Sequence, residues 1–242
     1  MHWLDPVSTA LDEAPTPVSF FFRDDDAGWL DSRLLPLLDA FAAHRLPLDL
    51  AVIPVDLDHA LAAELLARMA TTPLRVHQHG FAHLNHETSG RKCEFGPSRQ
   101  AADQRRDIEA GRRLLAELLG DAPDPIFTPP WNRCTEETAH GVAALGFRLL
   151  SREWRAPPLG IPGLPELQVR IDWVRLDRAA RAARLAEAIR DDQPVGVMFH
   201  HAGMSAAEAD DLLRLIAEHE RARPLSMMQA AVGTVEPHLE AP

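Results

Sequence analysis

Short apolar runs and amphipathic helical patterns alternate about seven times along this chain, and that alternation constrains its fold more than any other feature. Apolar runs within 18–23, 47–54, 74–79, 126–129, 147–151, 169–176 and 194–200 read as strands. Between them, Leu34, Leu37, Leu38 and Phe41 share one helical face, as do Leu61, Leu65 and Met69. Ser98 to Leu119 reads as a charged helix closed by Gly120. Pro36 fits its helix only in the first turn, because deeper in it removes a backbone donor and crowds the turn before it. Thr135, Asp177 and the Ser205/Glu208 pair can cap three further helices. Strands joined through helices pair in parallel, so the expected class is α/β with a parallel sheet, closed as a barrel or doubly wound.

No repeat or linker divides the 242 residues, so a single domain is expected over 1–242. It has a Pro-rich surface arm at 1–17, a core at 18–203, and a terminal helix and tail at 204–242. A hydrophobic content of 46% permits a sizeable core. The net charge of -11 argues against nucleic acid or an anionic membrane as partner. No apolar run spans a bilayer and no targeting signal is visible, so a cytoplasmic protein is expected. Cys93 and Cys134 form no CxxC and are expected as reduced thiols. The absence of GxGxxG after a strand, of a GK[ST] loop and of GxSxG disfavours nucleotide binding and a serine-hydrolase elbow.

Parallel α/β folds carry their chemistry at the C-terminal ends of the strands. Five such ends present Asp, His or an aromatic: Asp24-Asp25-Asp26; His77 and His79, followed by His83 and His86; Pro129-Pro130-Trp131-Asn132; Asp172-Trp173; and His200-His201. Three adjacent carboxylates repel one another and need a cation, which Arg23 or a divalent metal can supply. Alone, the acids would read as a solvated cluster and the histidines as surface groups. His79 and His83, at i and i+4 across Gly80, can instead meet one metal; with a carboxylate the set is two His and one Asp, which suits zinc and other first-row divalent ions.

Taken in order, Asp25-Asp26, His79-Gly80-Phe81-Ala82-His83, Pro129-Pro130-Trp131, Asp172-Trp173 and Phe199-His200 resemble the five motifs of the polysaccharide deacetylases, the metal-dependent family 4 carbohydrate esterases. The resemblance runs from about residue 18 to 203. It implies a distorted seven-stranded (β/α) barrel and hydrolysis of an N-acetylated sugar or glycan precursor. By resemblance Asp25 is the general base, and Asp26, His79 and His83 hold a divalent metal, zinc by preference. Trp131 contributes its N–H to the oxyanion and its ring to the acetyl pocket, with Pro130, Asn132 and Arg23 grouped around the substrate. His200 is the general acid, oriented by Asp172.

The match has departures. Ala27 separates the Asp pair from Gly28, so Asp24-Asp25 is the alternative register. Gly80 replaces a Ser or Thr whose hydroxyl would brace the loop. Thr128 stands where the family has an Arg that touches the base, and Arg23 or Arg133 is expected to supply that charge. His77 is read as a hydrogen-bonded interior histidine, His86 as loop or supporting residue, and His201 as reserve candidate for the acid. Glu94 is read as part of a solvated loop, with a lid or substrate contact as the alternative, and Cys93 as packing rather than ligating. Trp3, Trp29 and Trp154 are read as packing residues before sugar platforms. The rival functions are an amidase cleaving a non-sugar C–N bond, an inactive carbohydrate-binding homologue, and a glycosidase using Asp25 and Glu94.

Overall fold

The structure is a computed structural model that describes residues 2–191 and 193–233. Positions 234–242 of the expected tail lie outside them. In chain order the elements are α1 (Asp5–Glu13), β1 (Val18–Ala27), α2 (Asp31–His44), β2 (Leu48–Val52), α3 (His59–Met69), β3 (Leu74–His79), α4 (Ala101–Leu119), β4 (Asp124–Thr128), α5 (Glu136–Ala144), β5 (Leu149–Glu153), β6 (Glu166–Val169), β7 (Ile171–Asp172), α6 (Arg178–Ile189), β8 (Val195–Phe199), α7 (Asp210–Glu218), β9 (Ala222–Pro224) and α8 (Met227–Gly233). Among the described residues no helix is long and apolar enough to cross a membrane.

The strands follow the order β6-β5-β4-β3-β2-β1-β8-β7, with β9 beside β1, and every pairing is parallel. β6 and β7 stand at opposite ends of this path, yet only Arg170 separates them in the chain. The stretch 166–172 pairs with β5 through its first part and with β8 through its second, and the Arg170 N–H donates to the Gly196 carbonyl at 2.9 Å. The sheet therefore closes on itself as a distorted barrel. Where seven strands are expected, the path has eight, because one bent strand changes partner at Arg170.

β1 lies centrally and is buried on both faces, as a parallel strand between helices and barrel interior must be. Phe20 and Phe22 face the helical layer, where Phe22 meets Phe41 and Phe199. Phe21 faces inward with Ile126, Leu149, Leu167 and Met198. Gly196 makes room for it, since a Cβ there would stand 2.2 Å from Phe21 Cζ. α8 plugs the N-terminal end of the barrel: Met227 and Ala230 join the inner cluster, and the Met227 N–H donates to Asp49 Oδ2 at 2.9 Å. Burial pushes the Asp49 carboxyl up to about 7. Higher in the barrel the interior turns polar, with Arg23, Asp25, His77, His79, Thr128 and Ser151 all buried. The apolar lower layers thus form the floor of a charged upper chamber.

Several local expectations change. The expected surface arm contains α1, which buries Val7, Ala10 and Leu11. β1 does not stop at Arg23 but runs through the three aspartates to Ala27. Pro36 sits inside α2 rather than in its first turn, on the exposed face where water can satisfy the freed carbonyl. Thr135 and Asp177 cap α5 and α6. The Ser205/Glu208 capping box forms, but on a 3-10 turn ahead of α7.

Candidate functional site

The three aspartates that end β1 point three ways, and each has its own cationic or imidazole partner. Asp24 faces the outer layer. It accepts from the His201 backbone N–H at 2.9 Å and meets His201 Nδ1 at 2.6 Å. His201 Nε2 lies 2.6 Å from the Trp29 carbonyl and must donate to it, so the Asp24 contact needs a second proton. Burial alone would lower the His201 pKa, but the bond to Asp24 raises it to about 9. His201 is therefore spent on the outside of the chamber, away from the reserve acid role, and the Asp24-Asp25 register loses its first member.

Asp25 faces inward, two residues beyond Arg23 on the same strand face. Arg23 Nε and Nη2 donate to its two oxygens at 2.7 and 2.9 Å. The guanidinium is fully buried and also donates to Ser151 Oγ and Asn132 Oδ1, both at 2.7 Å. Burial would raise the Asp25 carboxyl, but Arg23, then His79 and His200, hold it below the ordinary carboxylate value. Arg23 thus supplies the charge missing at Thr128. Thr128 in turn meets His77 Nε2 at 2.8 Å. Burial and the charge of Arg23 push His77 down to about 3, so it remains neutral inside the barrel.

Asp26 is re-aimed by a bulge. From Asp24 to Ala27 the strand advances three residues while β2 advances two, and Asp26 takes a left-handed φ of 70°. Its Oδ1 lies 3.1 Å from both His79 Nε2 and His83 Nε2. Burial opposes ionisation, but the contacts with His79 and His83 draw its pKa far below the usual range. His83, Trp131 and Asn132 also have positive φ, at 52°, 54° and 59°. Such strain concentrated around one chamber is characteristic of a site whose surroundings over-determine it.

The loop bearing His83 is braced by Glu94. This residue is buried, and its carboxylate accepts from the Ala82 N–H at 2.8 Å and the Phe81 N–H at 3.2 Å. The solvated-loop and substrate-contact readings of Glu94 both give way to this role. Gly80 allows it: at φ 56° an added Cβ would stand 2.3 Å from Glu94 Oε2 and 2.5 Å from Pro130 Cδ. The hydroxyl absent at Gly80 is thus replaced by a carboxylate reaching over from residue 94. Glu94→Ala is expected to weaken divalent-metal affinity about 10- to 100-fold, as loss of supporting contacts does. Competition with a chelator measures this, and an unchanged affinity would remove Glu94 from the support of the loop.

Asp26, His79 and His83 bring one donor atom each to within 4.8 Å of one another. The chemistry of the set fits a divalent ion. His79 Nδ1 donates to the Thr128 carbonyl at 3.0 Å, so in the neutral ring Nε2 bears the lone pair. A lone pair and a carboxylate oxygen facing each other at 3.1 Å repel unless a proton or a metal ion lies between them. The His83 ring sits between Trp29 and Trp131, with centroids 4.7 and 4.4 Å away. Trp29 thus flanks the donor cluster, which its sequence context did not reveal.

A cavity of about 140 Å³ opens beside this cluster, lined by residues that include Asp25, Asp26, Trp131, Asn132, Asp172, Met198 and His200. A larger hollow of about 790 Å³ near Pro15, Ser19 and Arg223 contains none of the motif residues. Asp172 does not hydrogen-bond His200; it pairs with Arg175 Nε at 3.0 Å. Of the four residues grouped around the substrate, Trp131 and Asn132 line the cavity. Asn132 is largely committed to Arg23, while Arg23 lies beneath Asp25 and Pro130 wedges against Gly80. Cys93 and Cys134 are free thiols, and Trp3 packs edge-on against Trp173.

A parallel α/β barrel with a two-His, one-Asp cluster at its C-terminal mouth defines the class: a barrel protein with a candidate metal centre. The chain belongs to the polysaccharide deacetylase family, whose model matches residues 12–150. No curated protein sequence matches it. A candidate polysaccharide deacetylase from Mycobacterium smegmatis superposes with a TM-score of 0.67 at 16% identity, covering 95% of this chain and 98% of that one. A family 4 acetyl xylan esterase from Clostridium thermocellum, in complex with a cobalt ion, gives 0.62 at 12% identity over 90% and 93%. A family 4 pseudoenzyme from Bacillus anthracis also gives 0.62 at 12% identity, over 88% and 66%. At such identities the likeness shows the barrel fold, so activity must be argued from the residues of this chain.

Proposed function

We propose that this chain is a metal-dependent deacetylase hydrolysing the acetamide of an N-acetylated carbohydrate. The observation that carries this reading is the convergence of Asp26, His79 and His83 within 4.8 Å beside Asp25, which Arg23 holds separately. The cobalt ion in the clostridial esterase supports a divalent metal, and the nitrogen-rich donor set favours zinc. An ion held by these three residues supplies Lewis acidity toward an acyl oxygen and makes water more acidic.

The chain's own groups divide the remaining work. Asp25, kept ionised by Arg23, accepts the proton of the attacking water. The Trp131 N–H donates to the oxyanion, and its ring walls the acyl group. His200, also lining the cavity, donates a proton to the departing nitrogen, which is too basic to leave as an anion. His200 does this without a bond from Asp172, which is engaged by Arg175. The pseudoenzyme among the structural neighbours makes an inactive homologue the rival reading; the complete set of base, acid and donor residues favours turnover.

Acetate release from N-acetylglucosamine oligomers by the metal-loaded protein tests the proposal, and no release from these or other N-acetylated sugars would defeat it. His200→Ala is expected to keep its metal and lose about 10²- to 10⁴-fold in kcat, the usual contribution of a positioned proton donor. A variant with normal kcat would remove His200 from the chemistry.

A further inference from the structure

Two arginines, Arg133 and Arg175, line the cavity alongside Glu153 and Asp172, in a chain whose net charge is -11. The nearby acids are already engaged: Asp172 pairs with Arg175 Nε at 3.0 Å, and Arg91 approaches Glu153 at 3.8 Å. Deeper in, Asp25 is held by Arg23, and Asp26 by the imidazoles. Among the described residues Arg133 makes no direct ion pair, although Glu153 is near enough to favour its charge. One of its terminal nitrogens donates to the Lys92 carbonyl at 2.9 Å, and its Nε is buried without a hydrogen bond.

Its setting is also fixed. Arg133 follows the 3-10 turn that carries Trp131, its N–H donates to the Pro130 carbonyl at 3.3 Å, and its own carbonyl accepts from Cys93 Sγ at 3.4 Å. Burial, then the charge of Arg91, with a smaller contribution from Arg175, hold the Arg133 pKa below the ordinary arginine value despite Glu153. A guanidinium that is partly desolvated, crowded by like charges and short of acceptors is stabilised by an incoming anion. Its planar fork matches the paired oxygens of a phosphate or carboxylate.

We propose that Arg133, assisted by Arg175, forms an anion subsite at the cavity mouth, and that the substrate carries a phosphate or carboxylate close to its acetamide. This rests on the deacetylase reading for the identity of the acetamide, but the subsite can be tested without turnover. Zinc-loaded protein is titrated calorimetrically with N-acetylglucosamine, with its 1-phosphate and with N-acetylmuramic acid, so that a neutral ligand is compared with a phosphate and a carboxylate that each stand next to the acetamide. At least one anionic ligand is expected to bind about tenfold more tightly than the neutral sugar at low salt. That advantage should shrink as salt rises.

Arg133→Gln should remove most of the advantage, Arg175→Gln part of it, and Arg133→Lys should retain some. In turnover assays the anionic-to-neutral ratio of kcat/KM should fall by the same factor in Arg133→Gln. Equal binding of all three ligands overturns the subsite. So does an anion preference untouched by Arg133→Gln, because the metal would then be holding the anion. An Arg133-dependent preference with no acetate released from any ligand upholds the subsite and defeats the deacetylase reading.

Discussion

On the proposed function, Asp26→Ala is expected to lose the divalent ion and to lower turnover by at least roughly a thousandfold, because the variant would lack both a ligand and the Lewis acidity it anchors. Metal content after dialysis and the rate of acetate release measure the two losses together. The same position stores backbone strain, since Asp26 has φ 70°. A left-handed non-glycine residue costs about 1–3 kcal/mol. Asp26→Gly is therefore expected to be equally inactive, yet more stable to heat in metal-free buffer than Asp26→Ala. If Asp26→Ala still bound a stoichiometric ion and turned over, the cluster would not be the metal centre.

Arg23→Met is expected to be the most damaging change to the fold among the site residues. It strands Asp25 in a chamber where the carboxylate and the guanidinium are both almost fully buried. Breaking one side of a buried ion pair costs about 3–5 kcal/mol, which in a chain of this size lowers Tm by on the order of 10 °C. The pH dependence should change sign. In the native protein the folded Asp25 pKa lies below its unfolded value. Its contribution to stability is present above about pH 4 and is lost as pH falls through the lowered folded pKa.

Without Arg23, burial dominates and the folded pKa rises above the unfolded one. Stability is then lost as pH rises from about 4 toward that higher value. The acid limb of the rate profile should move up with it, since Asp25 accepts a proton only when ionised. Melting curves and rate profiles between about pH 4 and 8 check both effects. Arg23→Met/Asp25→Asn should recover part of the lost Tm by removing the stranded charge. An Arg23→Met variant with native Tm and an unmoved acid limb would show that Arg23 does not hold the base.

The parts of the site that could be read from the chain are those whose signals are short-range. The two-residue period of a strand places Phe21, Arg23 and Asp25 on one face and Phe20, Phe22 and Asp24 on the other. The i, i+4 spacing singles out His79 and His83, and Thr135 and Asp177 mark the starts of α5 and α6. What escaped such reading depends on partners far away in sequence. Glu94 could not be seen bracing the residues around Gly80, since nothing near residue 94 marks it as buried. Trp29 could not be placed against His83, and Arg175 could not be seen to take Asp172 from His200.

Periodicity along the chain settles a parallel α/β fold and the crowding of acids and imidazoles at its strand ends, because hydrophobic burial acts residue by residue on an alternating pattern. It leaves a closed barrel and a doubly wound sheet both open. Which cation satisfies which carboxylate is settled only on closure of the barrel. A buried charge costs several kcal/mol until a partner reaches it, and the partners arrive from different strands and loops: His201 after β8 for Asp24, His79 and His83 around β3 for Asp26. Only Arg23 and Asp25 are neighbours in sequence, and even their pairing needs Ser151 and Asn132 to complete the guanidinium's bonds. The bulge that turns Asp26 toward the imidazoles is likewise a product of β1 packing against β2.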